Sequence, residues 1–297
     1  MSAQTVEGKL IAGAVYDELK AEIPQLIRQA ERRPVLVSIY VGSHAAIEVY
    51  IRSQNRMARE LGIEYRWYHL PESAEEREVL RRIDQLNRDP EVTGIILQLP
   101  FPAHLQRSIL VNAIDPMKDV DGTHPENVGA ALSGEMRVGS CTALAIMRML
   151  EATDMPMEGK EAVIVGHSEL VGKPVSLMLL DRLATVTICH IATARRGLLA
   201  EHVQRAEILV VAVGSPEVIK GEWIRPGAVV IDVGINQIGK RIVGDVEFST
   251  ARERAAFITP VPGGVGPVTV SMLMLNTVKA FKAQTANTSK WGVDLPR

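Results

Sequence analysis

The sequence predicts an α/β protein with two domains, and two observations lead to that prediction. Short β-branched runs alternate with helical segments along nearly the whole chain of 297 residues. This alternation is typical of helices layered on mostly parallel sheets. The second half repeats this alternation with few inserted segments, and its apolar runs end at turn or polar residues. This is the pattern of a doubly wound sheet. The chain is also long enough to build two cores.

The first half opens with a long helix and then alternates strands with helices. Gly62 follows the second predicted helix, where glycine commonly ends a helix in the left-handed conformation. The last strand of this half is apolar except for Gln98, as expected for a buried strand. In chain order, the predicted elements are a helix over residues 8–32, a strand over 35–41, a helix over 45–61, a strand over 64–70, a charged amphipathic helix over 74–87 and a strand over 94–99.

The second half follows a polar, turn-rich stretch over residues 115–139. A helix over 142–153 crosses into it, and an apolar helix over 268–281 is expected to return to the first domain. The predicted domains are therefore residues 1–140 plus 268–297 and residues 141–267, and the last ten residues are expected to form a tail. The strands of the second domain are predicted at 162–165, 185–189, 208–213 and 229–233.

Composition argues against several classes of partner. A net charge of −2 gives no support to binding of nucleic acid or of a membrane surface. No apolar run approaches the roughly 20 residues of a membrane span, and the N-terminus lacks the pattern of a secretory signal. Cys141 and Cys189 stand far apart without a CxxC partner. They argue against a disulfide framework or a structural zinc site and fit a cytoplasmic protein without a metal.

The turn from Gly166 to Gly172 (GHSELVG) follows the first strand of the second domain and opens a helix. Backbone N–H groups at such a junction can hold phosphate oxygens, aided by the helix dipole. The spacing is not the G-x-G-x-x-G fingerprint, so an ordinary strand-to-helix turn fits it equally well. The next strand ends at His190 rather than at an acid that would bind a ribose 2′-hydroxyl. Arg195 and Arg196 could meet a 2′-phosphate or simply form a solvated face.

Polar side chains of the first half form a second candidate site. Tyr50 and Gln54 lie four residues apart on one helical face, so both can point into the same cleft. Gln98 lies near the end of a strand, where α/β folds build their sites. Asp119 and Asp121 occupy a tight polar turn, in which aspartates usually cap their own backbone.

The segment 258–267 (ITPVPGGVGP) combines three prolines with three glycines. Proline fixes φ and removes an N–H donor, and glycine allows backbone geometries that are closed to other residues. A segment this stiff and this bare of side chains suits a wall that lies flat against a planar ligand. An ordinary interdomain turn is the alternative, although turns rarely need six such residues.

Together these segments resemble the bifunctional methylenetetrahydrofolate dehydrogenase/methenyltetrahydrofolate cyclohydrolase family. The resemblance spans nearly the whole chain and is carried by three motifs that occur in order: GIILQLPFP, PMKDVDGTHPENVG and VIDVGIN…VGDV…ITPVPGGVGP. It implies a catalytic α/β domain, a Rossmann-like dinucleotide-binding domain, a folate cleft between them and a homodimer.

The resemblance also implies roles for individual residues. Tyr50 would stack on the folate, Asp121 would hydrogen-bond the pterin, and Gln98 would orient the catalytic residue. The folate pocket would be completed by Leu99, Pro100, Pro262, Gly263 and Gly264, and the cofactor, NADP or NAD, would meet Gly166, His167, Ser168, Ile191 and Ile235.

One departure from the family pattern concerns the catalytic residue itself. The family has a tyrosine followed four residues later by a lysine, and this chain has Tyr50 followed by Gln54. Removal of hydride from a methylene bridge between two nitrogens needs mainly correct placement of the two rings. Attack of water on the methenyl carbon also needs a group that manages protons, and an amide does not titrate. Arg52 and Arg56 lie on other helix faces and stay charged. We therefore expect a dehydrogenase with weak or absent cyclohydrolase activity.

Other departures lie at the cofactor and at the domain crossing. The family's GRS reads Gly166-His167-Ser168, and its CHS reads Cys189-His190-Ile191. Loss of an arginine and a serine weakens selectivity for a 2′-phosphate, because a histidine is mostly neutral at pH 7. NAD use is therefore an open alternative to NADP. The family's PCTPxG becomes SCTALA over residues 140–145, a change without a firm functional interpretation.

Two further functions also fit the sequence. The departures fit a family paralogue that acts on another one-carbon or pterin-like substrate. They also fit a non-catalytic protein that keeps the folate pocket, because fold and resemblance constrain function only through the site. Reduction of NAD or NADP on addition of methylenetetrahydrofolate would distinguish these hypotheses.

Overall fold

The computed structural model describes residues 2–286, which divide into two compact units. The three-stranded unit comprises residues 15–141 and 270–286. The six-stranded unit comprises residues 2–14 and 142–269. The expected tail over the last ten residues lies outside the described part of the chain.

The helices and strands follow one another in the predicted alternation. The first half contains β1 (Gln4–Thr5), α1 (Gly8–Ala30), β2 (Val35–Val41), α2 (Ala45–Leu61), β3 (Glu64–Leu70), α3 (Glu76–Arg88), β4 (Gly94–Leu97), α4 (Arg107–Asn112), α5 (Pro125–Leu132) and α6 (Cys141–Glu151). The second half contains β5 (Glu161–Val165), α7 (Gly172–Leu180), β6 (Thr185–Cys189), α8 (Ile191–Arg195), α9 (Leu199–Arg205), β7 (Ile208–Val211), a 3₁₀ turn (Gly221–Trp223), β8 (Val229–Asp232), β9 (Asn236–Ile238), β10 (Arg241–Val243), α10 (Phe248–Ala251), β11 (Phe257–Ile258) and α11 (Val265–Thr285).

The three-stranded unit is built on a parallel sheet in the order β3-β2-β4. β2 is central, and all seven of its residues are buried, which explains why its sequence is apolar except for Ser38. Helix α3 packs on the sheet through Val79, Ile83 and Leu86, which recur at helical spacing and are buried. Gly62 ends α2 at φ 82°, in the left-handed conformation that the sequence predicted.

The six-stranded unit is built on a parallel sheet in the order β1-β11-β8-β7-β5-β6. β5 is the first strand of its doubly wound part, and its neighbours β6 and β7 come next in the chain on opposite sides. Because the winding changes direction at β5, loops on both sides of it open at the carboxyl edge of the sheet. In such folds this edge is where ligands bind.

The structure differs from the predicted domains at the N-terminus. Residues 2–14 were predicted to lie in the first domain, but they belong to the six-stranded unit. The reason is strand pairing, because Gln4 pairs with Phe257 and Thr5 with Ile258 along β1 and β11. Two-residue strands carry too little periodicity to be found in a sequence.

Two properties of residues 2–286 concern membranes and metal ions. None of the helices in this range is long and apolar enough to cross a bilayer. Within the same range, no group of three or more His, Cys, Asp or Glu side chains is placed to hold a metal ion.

Candidate functional site

A ring of four hydrogen-bonded side chains is buried in the three-stranded unit. The Gln54 Oε1 atom accepts from the Tyr65 hydroxyl at 2.7 Å and from Gln98 Nε2 at 3.0 Å. Gln98 Nε2 also donates to Ser38 Oγ at 2.9 Å, and Ser38 bonds the Tyr65 hydroxyl. We call these four residues the amide ring. Both amide groups are thereby held in one orientation.

The helix that carries Gln54 explains why this amide is buried. Ile47, Ile51, Ala58 and Leu61 form a buried apolar stripe along α2, and Gln54 takes the middle place in that stripe with no exposed surface. A polar side chain in such a position must find partners or cost free energy. Its oxygen has two partners, whereas its Nε2 atom makes no hydrogen bond of normal geometry with residues 2–286. The amide also acts on the Tyr50 phenol, whose pKa it lowers.

Tyr50 lies one helical turn before Gln54 and faces the same site. Burial raises the pKa of its phenol, and the nearby Cys141 and Asp121 raise it further, whereas the Gln54 amide lowers it. The net shift is upward, so Tyr50 stays protonated at neutral pH. It can stack on or donate to a ligand but cannot accept a proton there.

Asp121 is the titratable carboxyl group of this site. Burial and, secondarily, the charge of Asp119 raise its pKa to about 7, while a hydrogen bond from Cys141 and the Arg107 guanidinium act in the opposite direction. The thiol of Cys141 is buried, and its pKa lies well above the usual value because of that burial and the charge of Asp121. Asp121 therefore titrates near neutrality while Cys141 remains a thiol.

The neighbouring Asp119 has a different role. Its Oδ2 atom accepts from the His124 backbone N–H at 2.8 Å and from Asn127 Nδ2 at 2.9 Å. This is the turn-capping role that the sequence predicted for an isolated aspartate. The two carboxyl groups also line a small cavity, and the other lining residues include Leu97, Leu99, Phe101 and Arg107. Asp121 thus differs from Asp119, because no backbone N–H of the described residues donates a hydrogen bond to its carboxyl group.

The loop residues predicted for the folate pocket fall in both units. Leu99 and Pro100 follow β4 in the three-stranded unit and are joined by a cis peptide bond. Pro262, Gly263 and Gly264 precede α11 in the six-stranded unit. Pro262 and Gly263 are exposed, whereas Gly264 is buried.

Packing at Gly8 gives the loop before α11 a structural reason for its glycines. The Gly8 backbone N–H donates to the Gly263 carbonyl at 2.9 Å. A Cβ atom at Gly8 would lie only 1.8 Å from the Gly264 carbonyl oxygen, and one at Gly264 would lie 2.6 Å from the Pro260 oxygen. Backbone therefore packs directly on backbone here. The buried glycine is explained without a ligand, and the exposed Pro262 and Gly263 are the part left to contact one.

The turn after β5 in the six-stranded unit also depends on two glycines. Gly166 has φ 118°, and a Cβ atom there would lie 2.3 Å from the Ala212 oxygen. A Cβ atom at Gly172 would lie 2.0 Å from the Gly166 oxygen. The turn is therefore folded against itself, and its bare backbone lies at the carboxyl edge, where the pyrophosphate of a dinucleotide fits in doubly wound sheets. Ser168 Oγ accepts from the Val171 N–H at 3.1 Å within the turn.

The remaining cofactor candidates lie on the same edge. His167 follows β5, and Ile191 follows β6 by two residues; Ile235 lies beyond β8. Ile191 and Ile235 are 64% and 70% exposed, which is unusual for isoleucine and leaves apolar surface for a planar ring. The His167 and His190 rings lie 5.2 Å apart, centroid to centroid.

Two buried aspartates that sequence reasoning missed support this edge. Asp245 accepts from the backbone N–H groups of Val213, Gly214 and Ser215 at 2.7, 2.9 and 2.9 Å, and from Asn236 Nδ2 at 2.8 Å. The carboxylate thus holds the loop after β7 and the start of β9 together.

Asp232 holds the neighbouring segment in the same way. Its carboxylate accepts from the N–H groups of Gly234, Asp245 and Val246 at 2.9 to 3.0 Å. Burial raises its pKa to about 6 in spite of these bonds. A Cβ atom at Gly244 would lie 1.8 Å from Asp232 Oδ2, so the glycine is required. The sequence signal is that each aspartate lies within two residues of a glycine, in VIDVG and VGDV, and this spacing alone does not show that the two carboxylates are buried.

Comparison with known proteins gives the following matches. The family pattern described as tetrahydrofolate dehydrogenase/cyclohydrolase, catalytic domain, matches residues 6–121, and its NAD(P)-binding domain matches residues 140–285. The chain is 47% identical over 281 residues to bifunctional protein FolD 2 of Myxococcus xanthus, covering 94% of this chain and 96% of that protein. It is 48% identical over 283 residues to bifunctional protein FolD of Moorella thermoacetica, covering 95% and 100%.

A solved structure gives the same result for the fold. The methylenetetrahydrofolate dehydrogenase-cyclohydrolase of Trypanosoma brucei, solved with NADP cofactor and an inhibitor, has a TM-score of 0.92 and 38% identity, with 95% of this chain and 98% of that chain covered. These matches confirm the predicted two-domain α/β class with a Rossmann-like NAD(P)-binding domain.

Proposed function

The chain belongs to the tetrahydrofolate dehydrogenase/cyclohydrolase family, and from this premise we propose that it oxidises 5,10-methylenetetrahydrofolate to the methenyl form with NAD or NADP. We further propose that hydrolysis of the methenyl product to 10-formyltetrahydrofolate is weak or lost. The relatives described above are bifunctional proteins, so the second part of this proposal sets the chain apart from them.

The observation that supports the proposal is the state of the Gln54 side chain. Its oxygen is fully engaged by Tyr65 and Gln98, and it has no exposed surface. A neutral amide in this position neither takes up nor releases a proton at any pH of interest. It can orient a folate without serving as the general acid or base of ring opening.

The site meets most of the requirements of hydride transfer. A bound nicotinamide supplies the hydride acceptor, and the two ring nitrogens of the folate stabilise the resulting cation. The chain's own contribution is placement. In this proposal Tyr50 stacks on the folate, Gln98 orients the Gln54 side chain through its hydrogen bond, and Asp121 bonds the pterin. None of these roles requires a proton to move.

Ring opening by water requires more. Water loses a proton as it attacks the methenyl carbon, and a ring nitrogen must gain one as the ring opens, so a group that titrates is needed nearby. Tyr50 and Cys141 stay protonated because their pKa values are raised by burial. Asp121, whose pKa is about 7, is the titrating carboxyl group, but it accepts a hydrogen bond from Cys141 and is assigned to the pterin.

Asp121 also supports a second candidate function, which is full bifunctional activity. A carboxyl group with a pKa near neutrality is suited to general acid–base catalysis. If Asp121 rather than residue 54 manages the protons, the hydrolysis survives the presence of Gln54. A paralogue for another pterin-like substrate and a non-catalytic folate-binding protein are the remaining alternatives.

We also place the protein in the cytoplasm as a homodimer, as the resemblance suggests.

The test is a pair of rates measured on the purified protein. NAD or NADP reduction is followed on addition of methylenetetrahydrofolate, and loss of methenyltetrahydrofolate is followed separately against the buffer rate. Reduction without accelerated hydrolysis supports the proposal. Hydrolysis well above the buffer rate that disappears in Asp121→Asn supports the second candidate. Tight folate binding without reduction favours the binding protein, and the absence of both favours another substrate.

A further inference from the structure

Asn276 of α11 makes hydrogen bonds that join two backbone segments beside Asp121. Its Nδ2 atom donates to the Val120 carbonyl and to the Gly139 carbonyl, both at 2.9 Å, and makes a weaker contact with the Cys141 Sγ atom at 3.5 Å. The side chain has no exposed surface. One amide from a distant part of the chain therefore ties the backbone just before Asp121 to the backbone just before Cys141.

The same two segments also pack directly on each other. Gly122 has φ 68°, and a Cβ atom there would lie 2.3 Å from the Gly139 carbonyl carbon and 2.7 Å from the Ser140 nitrogen. Backbone thus lies on backbone, with no side chain between the segments. The carbonyls of Val120 and Gly139 would each lose a donor without the Asn276 amide, and a buried carbonyl that lacks a donor costs free energy. The amide is therefore required for this close approach.

The Cys141 thiol has one hydrogen and two acceptors within reach. Its Sγ atom lies 3.4 Å from the Val120 carbonyl oxygen, and it also bonds the Asp121 carboxyl group. A hydrogen bond to a charged acceptor is the stronger one. The hydrogen therefore belongs to Asp121 when that carboxyl group is ionised and to Val120 when it is protonated. Asn276 favours the first arrangement, because it already donates to the Val120 carbonyl at a shorter distance.

The other groups that act on the Asp121 carboxyl come from the same turn, from α4 and from α2. The charge of Asp119 raises the pKa of Asp121, and the Arg107 guanidinium of α4 lowers it. Tyr50 of α2 is close enough for the charge of Asp121 to raise the pKa of the phenol. Helix α11 brings the neutral amide of Asn276 to this cluster, so that residue acts on it through hydrogen bonds and not through a charge.

We propose that Asn276 is a positioning residue for the folate site, which holds the Asp121 carboxyl group against the Cys141 thiol and directs the thiol hydrogen to that carboxyl group. The inference rests on the proposed function, in which Asp121 bonds the pterin, and deepens it. With the thiol on one carboxyl oxygen, the other oxygen is left to accept from the pterin. Asn276 itself contacts neither folate nor nucleotide in this proposal.

Infrared absorption of the S–H stretch tests the arrangement without any ligand. The chain has two cysteines, so Cys189→Ala leaves Cys141 as the single source of the band. A stronger hydrogen bond lowers the frequency of this stretch. In Cys189→Ala we expect the band to move to lower frequency as pH rises through about 7, the pKa of Asp121, because the ionised carboxyl group is the better acceptor. Addition of Asp121→Asn should abolish the shift.

Substitutions of Asn276 in the same Cys189→Ala background identify its part. Asn276→Leu has a similar volume but no donor, and it should abolish the shift because the thiol hydrogen then stays on the Val120 carbonyl. Asn276→Asp keeps the shape of the side chain with at most one hydrogen to donate, and it should reduce the shift. Thr277→Val is the matched control. Thr277 is the next residue of α11 and is equally buried, but its Oγ1 atom donates to the Leu273 carbonyl of its own helix at 2.8 Å. This variant should keep the shift.

Kinetics connect the arrangement to the folate. Asn276→Leu should raise the KM for methylenetetrahydrofolate ~10-fold, as for loss of one hydrogen bond to the ligand, with a smaller change in kcat. The Kd of NADH or NADPH measured without folate should not change, because Asn276 lies in the three-stranded unit. Thr277→Val should change neither constant.

The possible results separate this inference from the proposed function. Absence of a pH-dependent S–H shift in Cys189→Ala, or a shift that survives Asn276→Leu, overturns the inference and leaves the proposed dehydrogenase activity intact. Failure of both Asn276 variants to fold, while Thr277→Val folds, also overturns it, because Asn276 would then hold the fold and not the site. If the shifts follow the expectation but the wild-type protein reduces neither NAD nor NADP with methylenetetrahydrofolate, the hydrogen-bond arrangement is supported and its link to folate is overturned together with the proposed function.

Discussion

Removing the Asp245 carboxylate tests how the cofactor edge is held. Its two oxygens accept three backbone N–H groups over residues 213–215 and one side-chain amide, all within 2.9 Å. The residue is fully buried. The substitutions are Asp245→Ala, which removes all four bonds, and Asp245→Asn, which keeps one acceptor oxygen but turns an amide donor toward backbone donors.

The magnitude follows from the kind of bond that is lost. Hydrogen bonds to a charged group contribute roughly 1.5–3 kcal/mol each. The four donors are partly buried, so water can replace part of each bond, and Asp232 is relieved of a neighbouring charge that raises its pKa. We therefore expect Asp245→Ala to lower the free energy of unfolding by about 3–5 kcal/mol, less than the sum of the bonds, and Asp245→Asn to lower it by about half as much.

The assay combines urea unfolding with hydrogen exchange. The free energy of unfolding reports the global effect, and exchange of the Val213, Gly214 and Ser215 amides reports the loop directly. Asp181→Asn, an exposed aspartate of the same unit, is the control and should change stability by less than about 0.5 kcal/mol. If Asp245→Ala is equally silent and the three amides keep their protection, the role assigned to this carboxylate is wrong.

Three other predictions concern the site and the turns. Gln54→Lys should raise the rate of methenyltetrahydrofolate hydrolysis by about 10²- to 10⁴-fold, which is the usual contribution of a general acid or base. Burying the cation should lower the free energy of unfolding by a few kcal/mol. An unchanged hydrolysis rate in a folded variant would contradict this prediction. The pKa of Asp121 is about 7 in the folded protein, against 3.8 for an unperturbed carboxyl group. Between these two values the folded state binds a proton that the unfolded state does not. The free energy of unfolding should therefore fall as pH rises from about 4 to 7 and be level above pH 7. Urea midpoints measure this slope, and the same slope in Asp121→Asn would refute the assignment. Gly172→Ala should lower the free energy of unfolding by about 1–3 kcal/mol, because its Cβ atom would meet the Gly166 oxygen at 2.0 Å. Gly129→Ala lies in a helix with open space around the new methyl group, so it should be neutral or stabilise by up to about 1 kcal/mol. Thermal unfolding of both variants measures the difference, and equal melting temperatures would contradict the prediction.

Much of the fold could be predicted from the sequence because many of its strands are short β-branched runs and helices such as α2 and α3 are amphipathic. β2, β3 and β6 have the predicted bounds. The hairpin of β9 and β10 and the pairing of β1 with β11 were not predicted, because two- and three-residue strands are defined by their partners rather than by their own sequence.

The site was predictable in part. Helical spacing placed Tyr50 and Gln54 on one face, and the structure adds that Gln98 reaches the Gln54 oxygen. The contributions of Ser38 and Tyr65 could not be predicted, since they depend on the register between neighbouring strands and α2. Asp119 and Asp121, two residues apart, differ in function because only the first is occupied by the His124 N–H and Asn127.

The most direct test of the central claim follows both one-carbon products during a single reaction. Methylenetetrahydrofolate and the preferred nucleotide are mixed with the purified protein, and methenyl- and 10-formyltetrahydrofolate are measured over time. A site built around the neutral Gln54 amide predicts that the methenyl form accumulates and reaches the formyl form only at the buffer rate. Formation of the formyl product as fast as nucleotide is reduced, with no methenyl accumulation, would contradict it.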